Sequence, residues 1–474
     1  MNRVHARSRV GGTPARAARG ATRPAPPPPP PAPARPRPGG RGALICGLAI
    51  WVLVVFMIVP EGFNYDTFRP GAVVMPTEGS LTSRITWLAL LGFGLFATLR
   101  RPQQLRALLR EINPYLLGFA VLASLSVAWS ADPVVTVRRL IRVYTIMLDG
   151  FALGLMGWHM TRYQSVVRPI LTLMLIASII FGLTSPLLAI ERSLSSELVG
   201  AWHGLATQKN ALGSIAGTTT ILWLHGWLSR ETRLWSTLVG AAAAVSCLLL
   251  SRSSTSLMAT VFSGVLMLML MRSRPGLRRY MPYLVGIFVV TILLYSLAVL
   301  NLVPGLGFVL KPITMLTGKD QTFSGRTAIW AILDQHIAYH PLFGTGYGAY
   351  WTGPVPSSPS FGVLRTLYFY PTEGHNGYLD VINDLGAVGG LCLLGFLVTY
   401  LRQALRLFAS VRAQGALYLA LLFQQLIANL SESRWFNVLS IEFVIVTLAT
   451  VSMGRLLVQV RLEQRAARAA RAAG

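Results

Sequence analysis

Charge is scarce in this chain, and acidic charge scarcest. Asp and Glu together number 17 and lysine only three (Lys209, Lys311, Lys319) in 474 residues. Charged residues make up 12% of the chain, against roughly 25% in a soluble domain. That shortage, with 53% hydrophobic content, excludes an ordinary soluble fold. The net charge of +25 is nearly all arginine. In a soluble protein it would point to nucleic acid. Among apolar runs it is instead a topology signal, and no nucleic-acid partner is expected. Cysteine is nearly missing as well. Cys46, Cys247 and Cys392 each sit alone in an apolar run, which excludes a disulfide framework or a cysteine metal site. No internal repeat is visible, which weighs against a transporter built from inverted halves. Gly344-Thr345-Gly346-Tyr347-Gly348 lacks the spacing and the preceding strand of a nucleotide loop, so these are turn glycines. No His/Asp/Glu spacing marks a metal site.

Apolar runs of about twenty residues, each long enough to cross a bilayer core as a helix, dominate what remains. They fall near 43–60, 85–99, 114–130, 139–158, 170–190, 211–228, 234–250, 254–271, 280–302, 376–400, 415–430 and 437–455. The expected fold is therefore an all-α polytopic membrane protein of twelve spans. Residues 1–42 carry nine arginines, no acid and the six prolines Pro26 to Pro31, and predict a disordered basic cytoplasmic tail. The first run ends in Ile58-Val59-Pro60-Glu61 with no small-residue cleavage pattern, so it reads as a retained span. Residues 43–455 form the membrane domain and 456–474 a second basic cytoplasmic tail. With both termini inside, 29 of the 42 basic residues fall on inner segments, as the positive-inside bias requires. The long polar interval 303–375, between spans nine and ten, is then an extracytoplasmic loop.

That loop and its rim hold the candidate chemistry. Ser324 is an N-cap candidate for a helix in which Ile329, Ile332, Leu333, His336 and Ile337 share one face. Arg326 lies in the first turn, where the helix dipole disfavours a cation unless an anion binds beside it. A solvated or lipid-phosphate-facing arginine is the alternative. His375 stands one residue ahead of span ten, with Asn376, Asp380, Asn383 and Asp384 recurring below it. Such polar residues at a span tend to line a cavity. A histidine there is suited to act as a base or to cap the helix. Lys209, beside Asn210 at the start of span six, is an interfacial anchor or a phosphate ligand. Arg138, Arg139 and Arg142 cluster at the outer end of span four. Asp149, seven residues on, could pair with Arg142, though about 10 Å of axial rise separates them. Glu442, taken to lie mid-span, is expected to pair internally with an arginine of span four. The segment from Tyr350 to Tyr370 is expected to shape an acceptor site.

In order along the chain stand Trp129-Ser130-Ala131-Asp132-Pro133, Lys209-Asn210-Ala211-Leu212-Gly213, Ser251-Arg252-Ser253 and Ser324-Gly325-Arg326-Thr327-Ala328-Ile329-Trp330. His340-Pro341-Leu342-Phe343-Gly344-Thr345-Gly346 and His375-Asn376-Gly377-Tyr378-Leu379 follow. The ordered set resembles the O-antigen ligase and polymerase superfamily of bacterial envelope proteins, over roughly 85–450, and most closely its exopolysaccharide-polymerase branch. Gln208 departs from that branch, which commonly has histidine before Lys-Asn. The resemblance implies a membrane glycosyltransferase of the C type, working from a polyprenyl-pyrophosphate-linked oligosaccharide without metal or other cofactor. It implies a bacterial inner-membrane protein whose active site faces the periplasm, working beside other polysaccharide assembly or export proteins. By the same resemblance His375 is the catalytic histidine and Arg326 a pyrophosphate ligand. Lys209 is then a second cation, and Arg139, Arg142, Arg252, Asn376 and Asp380 are further cavity candidates. A polymerase is the first expectation. A ligase transferring to lipid A-core is the second, and a transporter of lipid-linked glycan a distant third.

Overall fold

Long apolar runs punctuated by Pro, Asn, Asp and Ser leave the backbone one way to satisfy its own polar groups in a bilayer, the helix. The computed structural model describes residues 40–60, 63–65, 80–192, 199–274, 276, 279–299, 326–367 and 370–473. The tail expected over 1–42 lies almost wholly outside the described residues, as do Ser324 and the first part of the long loop. In chain order the helices are α1 (Arg41–Ile58), α2 (Leu81–Leu99), α3 (Pro102–Leu109), α4 (Pro114–Leu125), α5 (Pro133–Leu155) and α6 (Arg162–Thr184). The short α7 (Pro186–Ala189) precedes α8 (Lys209–Leu228), α9 (Leu234–Leu250), α10 (Ser254–Arg272) and α11 (Met281–Val299). The loop helices α12 (Arg326–Tyr339) and α13 (Phe361–Leu367) come next. Then follow α14 (Gly377–Ser410), α15 (Arg412–Ala428) and α16 (Ile441–Ala473). Among the described residues the only strand-like pairing is an isolated bridge, Ile190 with Trp202.

The starts follow local chemistry. Asn113 and Asp132 cap α4 and α5 through their side chains, each with proline at the first helical position. Ser80 and Ser253 cap α2 and α10. Each of the twelve apolar runs overlaps a helix among the described residues. Six helices are long and apolar enough to cross a membrane alone, and α3 with α4, bent by 99°, makes a seventh if the pair is one span. The protein is thus helical and multi-pass. α16 is the most enclosed of these, 89% buried over its apolar window, and residues 456–473 continue it as helix.

Two features of the fold position the loop. α12 lays Ile329 and Leu333 of the expected face, with Trp330 beside them, into a small second core with Tyr350, Val363 and Leu379. Each such buried side chain contributes about 1.5–3 kcal/mol. α14 is broken at Gly386, which has φ 64° and ψ −162°. Pro341–Gly346 fills the break. The Ala387 and Val388 N–H groups donate to the Pro341 and Leu342 carbonyls, and the Thr345 and Gly346 N–H groups donate to the Asn383 and Asp384 carbonyls. A Cβ at Gly386 would lie 2.2 Å from the Leu342 carbonyl carbon, and one at Gly344 would lie 2.5 Å from the Asp384 carbonyl carbon. The turn glycines are therefore there for close backbone approach as much as for turning.

Candidate active site

Three helix starts, those of α8, α12 and α14, meet the turn from α15 into α16 on one side of the bundle. Asn376 sets the first residue of α14. Its Oδ1 accepts from the Tyr378 and Leu379 N–H groups, at 3.0 and 3.1 Å. The helix cap is thus Asn376, which removes the capping alternative for His375. Gly377 donates to the Asn429 and Glu432 carbonyls, both at 3.0 Å, and a Cβ there would lie 1.9 Å from Asn429 Oδ1. Asn429 Oδ1 in turn accepts from the Arg434 and Trp435 N–H groups. The residue before the cap must bend sharply, and His375 takes φ +50°, a left-handed conformation costing a non-glycine residue about 1–3 kcal/mol. The bend turns the imidazole toward the α15–α16 turn.

Glu432, in that turn, is the hub. Its Oε1 meets Arg326 Nη2 at 3.0 Å and accepts from Asn210 Nδ2 at 2.5 Å. Its Oε2 lies 3.2 Å from Arg434 Nη2 and 3.8 Å from His375 Nδ1. Glu373 Oε1 approaches the same His375 Nδ1 at 3.3 Å. Arg434 Nη1 lies 3.7 Å from Glu442 Oε2. Three cations therefore surround three carboxylates in a nearly dry space. Burial opposes charge on Glu432, but His375, Arg434 and Arg326 outweigh it and hold the carboxyl at about 2. Burial also opposes charge on His375, yet the two carboxylates at Nδ1 push the imidazole up to about 9. For Glu373 burial prevails and raises the carboxyl, with His375 and Arg434 only partly offsetting it. Glu373, His375 and Glu432 hold one ligand atom each within 4.8 Å of one another, close enough for a cation. Two guanidiniums already neutralise Glu432, so the group suits sharing of protons and charge better than a divalent ion.

The structure brings Arg326 and His375 together through Glu432, an acid not among the expected site residues. Arg326 opens α12, and the anion beside it is the Glu432 carboxylate. Lys209 begins α8, next to Asn210 of the hub. Asp380 accepts from the Trp351 indole at 3.0 Å and from the Gly374 N–H at 2.8 Å, tying down the turn that leads to His375. Arg139 reaches the Trp351 carbonyl at 3.4 Å and packs on Gly348, and Arg252 donates to the Val199 carbonyl at 2.7 Å. Both are engaged outside the hub. Arg142 lies over the Trp87 ring at 5.1 Å, and both oxygens of the buried Asp149 lack a hydrogen-bond partner. The Arg142–Asp149 pair is therefore not formed. Glu442 sits in the first turn of α16, not mid-span, and pairs with Arg434 and Ser440 rather than with an arginine of α5. Tyr350 is buried against His336, ring centres 4.5 Å apart.

Sequence reading missed Glu373, Glu432 and Arg434. Ser431-Glu432-Ser433-Arg434 was a signal: charge in a short interval between two apolar runs, on the side assigned to His375.

Residues 239–394 match the family described as O-antigen ligase (Wzy_C). That stretch contains Arg326, Glu373 and His375 and ends before Glu432. The chain is also similar to the exopolysaccharide production protein ExoQ of Rhizobium meliloti (strain 1021). The two are 26% identical over 315 residues, covering 63% of this chain and 67% of ExoQ. The likeness to the O-antigen ligase and polymerase superfamily, on its exopolysaccharide branch, holds over these aligned lengths as well as over the short motifs.

Proposed function

We propose that this protein polymerises polyprenyl-pyrophosphate-linked oligosaccharide repeat units into an exopolysaccharide. It works on the outer face of a bacterial inner membrane, as a twelve-span glycosyltransferase with both termini in the cytoplasm. The observation that carries the reading is the meeting of Arg326 and His375 at Glu432. Two arginines and a histidine gathered around a carboxylate in a largely buried cluster suit a reaction whose leaving group is a pyrophosphate.

In that reaction an acceptor sugar hydroxyl attacks the anomeric carbon of the donor glycan. The bond from that carbon to the phosphate oxygen breaks, and its electron pair stays on the pyrophosphate. His375 takes the hydroxyl proton. Arg326, turning from Glu432, meets the negative charge as it grows on the leaving group, with Lys209 as a second cation. The positive end of the α12 dipole adds to that field. One direct displacement inverts the anomeric centre. The loop from 351 to 367 borders the acceptor, with Tyr350 buried beneath it. Other polysaccharide assembly proteins would receive the product.

The ligase reading shares the donor and differs in acceptor; the description of the matched family favours it. Glycolipid analysis of a deletion strain separates the two. Single repeat units left on carrier or core mean a polymerase, and long chains left on the carrier mean a ligase. Full-length polymer at normal abundance in both His375→Ala and Arg326→Ala cells would overturn the catalytic assignment.

A further inference from the structure

The hub holds two carboxylates near one imidazole nitrogen, and they are not equivalent. Glu432 is committed: Arg326 and Asn210 share its Oε1, and Arg434 holds its Oε2. Glu373 has no such anchors. Its Oε1 is buried, makes no hydrogen bond among the described residues, and lies 3.3 Å from His375 Nδ1, which is likewise buried and unbonded. Two facing buried polar atoms at that distance, each otherwise orphaned, are a hydrogen bond waiting for a small adjustment, as pairs in empty sites often are. On the far side of the ring, Nε2 makes no hydrogen bond among the described residues.

From this we infer that Glu373 is the positioning carboxylate of the reaction: it accepts from His375 Nδ1–H, fixes that tautomer, and leaves Nε2 as the atom facing the acceptor hydroxyl. The inference rests on the function proposed above. It assigns Glu432 the separate task of balancing the arginines. The proton moves from the acceptor O–H to Nε2, and Nδ1 keeps its own proton throughout. Glu373 stays ionised and steadies the imidazolium that forms. The φ +50° bend at His375 gains a purpose, because it places Nδ1 between the two acids. The groups facing His375 are Glu373 on its own loop, Asp380 on α14, and Glu432 and Arg434 on the α15–α16 turn. Arg326 on α12 acts through Glu432.

The test is the pH profile of polymer formation by purified protein in detergent. The substrate is lipid-linked repeat units extracted from a deletion strain. Removing the carboxylate weakens His375 as a base. Glu373→Gln should therefore shift the rising limb of the profile to lower pH by about one unit or more. Its plateau rate should fall at least about tenfold. Glu373→Asp, which keeps the charge but withdraws it, should recover part of both. If Glu373→Gln does not accumulate, Glu373→Asp alone carries the test, with a slower plateau expected. An unchanged profile and plateau in either variant, beside an inactive His375→Ala, overturns the role of Glu373 and leaves the proposed function standing. An active His375→Ala overturns the catalytic assignment of His375, on which this inference rests.

Discussion

The molecule brings the same three residue types together twice, at opposite ends of the bundle. At the loop end they are Glu432, Arg326 and His375. At the other end they are Glu231, Arg168 and His225. There the Arg168–Glu231 and His225–Glu231 contacts are both 3.9 Å. Gln414 donates to Glu231 at 3.5 Å and accepts from Gln164 at 2.7 Å. Arg168 lies 5.1 Å from the Trp223 ring centre. His225 sits inside a regular helix and donates from Nε2 to the Ala413 carbonyl at 3.1 Å. His375 sits in a left-handed bend with Nε2 unbonded among the described residues. The difference teaches that composition does not separate a structural cluster from a chemical one. What separates them is which ring nitrogen is already used and whether the backbone is strained to aim it.

The sharpest way to break the comparison is to remove each histidine. His375→Ala and Arg326→Ala should each lower polymer formation by about a hundredfold or more, the scale of a lost base or charge-stabilising donor. Initial rates on lipid-linked repeat units measure it. Next comes pH. His375 must be neutral to act as base, so activity should climb about tenfold per pH unit toward a plateau near 9. The sign for stability is opposite. A histidine raised in the folded state stabilises fully below its ordinary value, and that contribution is lost as pH rises through about 9. A flat rate between pH 6 and 9 would remove the base role.

Glu432→Gln removes the counter-charge of half-buried Arg326 and leaves buried Arg434 with Glu442 alone, and should cost about 3–5 kcal/mol, seen as a lower melting temperature in detergent. His225→Ala, its counterpart at the other end, should cost about 1–3 kcal/mol and leave the rate per folded molecule unchanged. A folded but inactive His225→Ala would erase the distinction between the clusters. The smallest effect expected is none: a chelator should leave the rate as it was, because guanidiniums occupy the Glu432 oxygens.

Much of this was legible in the sequence, and what was not has a physical reason. Every apolar run became a helix because nothing else satisfies such a backbone in lipid. Arg326 could be singled out because a cation at a helix start needs an anion. The sequence named that need but not its answer, since Glu432 is 106 residues away and no periodicity links them. Glu442 was misplaced because the apolar pattern near 437–455 does not mark where α16 begins. Arg142 and Asp149 share a helix face by spacing, yet Trp87 of a neighbouring helix offers the guanidinium a closer surface. Side chains choose partners across elements, and a one-dimensional pattern ranks only those along one.

The break in α14 reaches further than its own turn. Because Pro341–Gly346 completes the hydrogen bonding of a membrane helix, that part of the loop is wall rather than door. Tyr347, whose hydroxyl donates to the Phe436 carbonyl at 2.6 Å, continues the wall into the bundle. Lifting it would expose four backbone pairs at once. The rim open to the proposed lipid-linked substrate is then the one where α12 rests on apolar side chains, one ion pair and the hydrogen bonds of Trp330 and His336. The gatepost there is Arg326, the residue proposed to greet the pyrophosphate.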